Sequence, residues 1–172
     1  MQGYDSRDTD FGDKFGFRFG IEAEFILPFN KNKWGIIIEP TYQYYKSEKE
    51  KASVNVSGGH PLIMASYQSI EVPIGIRHYF YFNDKSKIFA NISYVIDFDN
   101  NSSVEYKRPD GSIVNSLTIK GSRNIALGMG YKFKDKYSLE MRYQTNRDIL
   151  SDYAYWHSEY KTFSILFGYS LF

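Results

Sequence analysis

The residues best able to do acid–base or metal chemistry near neutral pH are three histidines, His60, His78 and His157, since imidazole titrates there without help from its surroundings. None has a second His at metal-ligand spacing, and with no Cys in the chain a thiolate site is impossible. His157 lies beside Trp156 and near Asp152, Ser151 and Ser158, the residue types of a base-activated nucleophile such as a lipid-modifying enzyme uses. The simpler reading is an exposed aromatic loop. His60, within Gly58, Gly59 and Pro61, reads as a turn residue, and His78 ends an apolar stripe. Glu22 and Glu24 share a strand face, but a carboxylate pair amid other charges is more often structural than catalytic. No phosphate-binding Gly-x4-Gly-Lys pattern occurs, and Gly128 and Gly130 lie within a strand pattern and open no helix. The expectation is a chain that is not an enzyme, with no catalytic residue, metal or cofactor.

Those residues must be positioned by strands. Aromatic residues make up 19% of the chain, mostly 16 Tyr and 14 Phe, side chains that suit a pleated surface better than a helix. Period-two alternation, the mark of a two-faced strand, runs through seven segments: 14–27, 34–45, 69–82, 87–98, 124–133, 137–146 and 160–172. In the first, Phe15, Phe17, Phe19, Ile21, Phe25 and Leu27 alternate with Gly16, Arg18, Gly20, Glu22 and Glu24. Short turns at 28–33, 83–86 and 134–136 alternate with long polar loops at 46–66, 99–123 and 147–159. Residues 104–115, around Pro109, Asp110 and Gly111, read as a hairpin continuing the strands beyond a bilayer. No apolar run approaches the ~20 residues of a membrane helix. A net charge of +1 gives no field to hold nucleic acid, so no nucleic-acid partner is expected.

Regular short-long alternation of connections is the pattern of an up-and-down meander in an outer membrane. The expected fold is therefore all-β: one domain over residues 1–172, an antiparallel up-and-down transmembrane β-barrel of about eight strands with seven visible. Aromatics such as Trp34, Tyr42, Tyr44, Phe80, Phe82, Phe133, Tyr137 and Tyr169 end the apolar stripes, as interfacial girdles do. The opposite face carries Arg18, Glu22, Glu24, Glu39, Glu71, Arg77, Asp97, Lys132, Glu140 and Arg142. A barrel of eight strands is filled by its own side chains, so these mixed charges are expected to plug the lumen. Arg77 is expected to serve Glu71 or Glu39, with glycines at 16, 20, 35, 75, 128 and 130 making room. A soluble lipocalin-like barrel with the apolar face inward is the competing fold. Its interior would have to hold seven stripes as bulky as Phe163, Phe167 and Tyr169.

Residues 17–45, FRFGIEAEFILPFNKNKWGIIIEPTYQYY, and 69–82, SIEVPIGIRHYFYF, resemble the small outer-membrane barrels of Bacteroidota, PorT-like and OmpA-like. The most specific parts are Gly20, Ala23 and Glu24 on the first strand, and Glu71, Pro73, Arg77 and Tyr79 on the third. A terminal Phe is typical of assembly-machine substrates; Phe172 matches in type, although the apolar phase ends on Leu171. The resemblance implies a bacterial outer-membrane location, contact with outer-membrane lipid and with the barrel-assembly machinery during insertion, and a structural or interaction role. An envelope protein partner would be engaged through the long loops. A narrow channel for small solutes is the alternative. Because single-chain bacterial barrels have even strand numbers, one further strand is expected on the N-terminal side. Residues 1–13, polar and acidic with no signal-peptide layout, would then be the tail of an outer loop.

Overall fold

The computed structural model describes residues 16–50, 62–100, 102–108, 110–118, 123–148 and 159–171. Among the described residues the chain is strand along most of each alternating segment. The strands are β1 (Gly16–Gly20), β2 (Ala23–Leu27), β3 (Trp34–Ile38), β4 (Thr41–Glu50), β5 (Leu62–Asn83) and β6 (Ser86–Asp99), then β7 (Ser103–Lys107), β8 (Ile113–Thr118), β9 (Arg123–Phe133), β10 (Tyr137–Asp148) and β11 (Glu159–Tyr169). The one helical turn among the described residues is a 3₁₀ turn at Asn30–Asn32. Every pairing is antiparallel.

These eleven strands make seven staves and a hairpin. Gly20 pairs with Thr41 and Ala23 with Ile38, so one register runs through both halves of the first two staves. The ladder is interrupted there because Pro40 has no N–H to donate, though its carbonyl still accepts from Ile21 N at 3.1 Å. Between β6 and β7 the pairing with β5 slips by one residue: Asp99 faces Ser69, but Ser103 faces Ser66. That is a β-bulge. Ser102 Oγ holds it by accepting from Gln68 N and donating to Gln68 O, both at 2.9 Å. Beyond the bulge, β7 and β8 form the hairpin read around Asp110 and Gly111, where Gly111 adopts φ 84.

The turns at the other end are tight. Lys134 (φ 52) and Asp135 (φ 55) are both left-handed, and Lys136 N donates to Phe133 O at 3.1 Å. That is a type I′ turn, whose twist matches the flanking strands.

Neighbouring staves follow the order β1/β2, β3/β4, β5, β6, β9, β10, β11. Among the described residues β11 pairs only with β10, and β1 and β2 only with β4 and β3, so both outer staves are edges. The sheet is strongly curled. Four inter-strand steps separate Glu39 from Arg142, about 19 Å in a flat sheet, yet their side chains meet at 2.6 Å. The result is a half-barrel trough.

Burial is inverted relative to a water-soluble core. Among the described residues thirty-two large apolar side chains are exposed and six apolar residues are buried, against fourteen buried polar or charged ones. The apolar phase of every stave lies on the convex face, with Phe19 at 71%, Ile74 at 42% and Phe167 at 74% exposure.

Two boundaries differ from the sequence reading. The loop expected at 46–66 is shortened by strand on both sides, since β4 runs to Glu50 and β5 starts at Leu62. Neither flank alternates, since 46–50 are all polar and 62–65 all apolar, while the backbone ladder continues from Lys46 opposite Ser66 to Glu50 opposite Leu62. Residues 1–13, His60, the group at 151–158 with His157, and Phe172 lie outside the described residues.

Candidate functional site: the charged concave face

The ten charged residues of the polar phase stand on one face because their positions share parity within each stave, and the curl turns that face inward. Three arginines organise them. Arg77 of β5 donates from Nη1 and Nη2 to the two carboxylate oxygens of Glu22, both at 2.7 Å. This is the planar, two-pronged recognition that a guanidinium allows. Its Nη1 also lies 3.6 Å from Glu24, its Nη2 lies 3.5 Å from Glu140, and the guanidinium stacks 4.3 Å above the Phe89 ring. Tyr79 donates its hydroxyl to Glu24 at 2.6 Å, and Lys132 Nζ approaches the same carboxylate at 3.6 Å.

Arg142 of β10 joins two carboxylates: Nε donates to Glu140 and Nη2 to Glu39, each at 2.6 Å. Thr41 donates to the Glu39 carbonyl at 3.0 Å, and Asn91 donates to Glu140 at 3.3 Å. Arg18, on the edge strand β1, donates to Glu71 at 2.6 Å and to Gln144 at 3.0 Å. Gln144 in turn donates to Glu71 at 2.8 Å and accepts from Thr162 of β11 at 2.6 Å. Edge is thus tied to edge through side chains. Asp97 accepts from Tyr67 at 2.8 Å and from Ser69.

The structure brings all ten residues onto this face but distributes partners differently from the expectation for Arg77. Glu71 belongs to Arg18 and Glu39 to Arg142, while Arg77 serves Glu22, Glu24 and Glu140. Parity tells which face a residue takes; position along the stave and curl decide whom it meets. Neutral members of the network, among them Gln43, Tyr67, Asn91, Gln144 and Thr162, are missing from the sequence expectation, although each has the same parity as the charges. Lys87 was also missed. Its Nζ lies 4.2 Å from the Tyr79 ring centroid and 2.6 Å from Asp135.

Two glycines make the network possible. A side chain on Gly128 would run into the amide oxygen of Asn91 and a carboxylate oxygen of Glu140, and one on Gly35 would lie 2.8 Å from Glu24 Oε1. Arg18 Nε and Nη1, Arg77 Nε and Arg142 Nη1 have no acceptor among the described residues. Such donors are normally met by ordered water.

As chemistry, the face neutralises charge against charge. Among the described residues no group of three His, Asp or Glu is arranged to hold a metal ion. His78 lies on the convex face, its ring 4.4 Å from Trp34 and 4.5 Å from Phe80. No protein-family model, curated protein or solved structure matches this chain.

Proposed function

We propose that the chain is the membrane wall of a small bacterial outer-membrane β-barrel of the PorT-like or OmpA-like kind. Its lumen is plugged by ion pairs, and it serves as a structural or interaction module whose long loops meet an envelope partner. The observation that carries this reading is the inversion of burial: apolar side chains cover the convex face while Arg77, Arg142 and Glu71 are buried at 3% exposure or less on the concave one. In water each large convex side chain would forgo about 1.5–3 kcal/mol of burial, and soluble monomers tolerate apolar patches of only a few hundred Å². Lipid removes that cost. A lipocalin-like barrel would need the opposite arrangement, with the bulky phase inside.

Within a bilayer the edges β1/β2 and β11 must also be satisfied, because unpaired backbone groups in hydrocarbon cost several kcal/mol each. A closed wall does this. The link from Arg18 through Gln144 to Thr162 already draws the two edges together. The plugged lumen is tested by planar-bilayer conductance of the refolded protein: silence or rare small openings are expected. A steady ohmic current would favour the channel for small solutes instead.

A further inference from the structure

The formal charges are not spread evenly along the barrel axis. The three short turns and the residues flanking them gather Lys31 and Lys33, Lys85 and Lys87, and Lys134 and Lys136, against only Asp84 and Asp135, in a chain whose net charge is +1. Backbone bonds join the turns into one rim: Tyr79 N donates to Lys33 O, Lys134 N to Lys85 O, and Ser170 N to Lys136 O, each at 2.7 Å. Lys87 is engaged with Asp135. Lys31, Lys33, Lys85 and Lys134 have no carboxylate partner among the described residues.

Their setting is amphipathic. Lys134 Nζ sits 5.3 Å above the ring of Phe133, an outward-facing residue, so its ammonium lies toward the convex side. Between the first two turns, Lys31, Lys33, Tyr81, Phe82, Asn83 and Asp84 line a groove of about 390 Å³. Phe82 is 67% exposed there, and Tyr81 donates its hydroxyl to Asn32 O at 3.0 Å, tying the turns together. Two ammonium groups and one carboxylate leave the groove positive. Directly below it, Trp34, His78 and Phe80 form an aromatic belt on the convex face. Cations just beyond an aromatic belt meet the depth at which lipid phosphates lie.

We propose that this lysine rim binds the phosphate headgroups of anionic phospholipids in the leaflet on the short-turn side, with the groove at Lys31 and Lys33 as one seat. The proposal rests on the membrane-barrel reading, and its test separates the two. Trp34 stands beside Lys33, and the chain's other tryptophan is Trp156. A Trp156→Phe chain refolded into phosphatidylcholine vesicles therefore reports lipid at the rim through Trp34 fluorescence. Brominated phosphatidylcholine quenches Trp34 if the wall is in the bilayer at all. Brominated phosphatidylglycerol at equal mole fraction is expected to quench more strongly, with about tenfold tighter relative binding, somewhat more than one lysine's worth of headgroup attraction. High salt should erase that preference, as should Lys31→Gln, Lys33→Gln, Lys85→Gln and Lys134→Gln together. The salt arm needs no lysine substitution and stands if the fourfold variant fails to fold. Equal quenching by both lipids at low salt overturns the proposal and leaves the membrane reading intact. A preference that survives the four substitutions in a folded variant also overturns it. Absence of quenching by either lipid overturns both.

Discussion

Arg142 and Glu39 meet at 2.6 Å across the concave face although β5, β6 and β9 stand between their staves. The contact is a measure of curl. Stranding a buried charge typically costs about 3–5 kcal/mol, and Arg142→Met alone is expected to cost an amount of that order in a denaturant titration. Combining it with Glu39→Leu should cost less than the sum of the two single changes, by about 1 kcal/mol or more. Strict additivity would mean that the two staves do not face one another.

Arg77 carries the densest part of the network, with Glu22, Glu24 and Glu140 around it and Phe89 beneath. Arg77→Ala should destabilise the folded barrel by about 3–5 kcal/mol, because three carboxylates lose their shared cation. It should not produce a large conductance, since Tyr79, Lys132 and Arg142 still occupy the space. Unchanged stability would sink the network reading at this position.

Gly128→Ala should cost about 1–3 kcal/mol, the usual range for overpacking, because the new methyl meets Asn91 and Glu140, which are hydrogen-bonded to each other. Gly35→Ala should be milder, since its methyl would lie 2.8 Å from Glu24 Oε1, a looser clash than those at Gly128. Thermal unfolding of the two variants side by side gives the order; the reverse order would contradict the placement of Asn91 and Glu140.

At the tip of the β7–β8 hairpin, hydrogen bonds from Ser112 hold the Asp110 carboxyl below its usual pKa. A depressed folded-state pKa contributes order that is present above the unfolded value and lost as pH falls through the folded one. Protection of the Ser112 amide from exchange should therefore decline on acidification below the ordinary carboxylate range, and Asp110→Ala should remove that pH dependence. Protection indifferent to pH in the unmodified chain would refute the cap.

How far the sequence reveals this molecule depends on which quantity alternation encodes. It encodes facing. Each of the seven staves, its apolar side and all ten concave charges follow from parity alone, as Phe17, Arg18 and Phe19 illustrate. Alternation does not encode where a ladder stops once both faces are alike, which is why Lys46 to Glu50, all polar, and Leu62 to Ala65, all apolar, read as loop. Nor does it contain the bulge between Asp99 and Ser103, a matter of one residue's backbone bonding to Gln68. The pairing of Arg77 with Glu22 and not Glu71 depends on curvature, a property of the whole sheet that no local pattern holds.

On the proposed reading the convex face meets lipid. A refolding titration into phosphatidylcholine vesicles, comparing Ile74→Arg, Leu127→Arg and Ser93→Ala, tests it most directly. Ile74 and Leu127 are exposed on the convex face, and Ser93 is buried on the concave one. Each arginine should cost about 2–4 kcal/mol if it sits near the bilayer midplane, while Ser93→Ala should change little. Equal effects from both faces, or a serine variant more damaging than either arginine, would contradict the account.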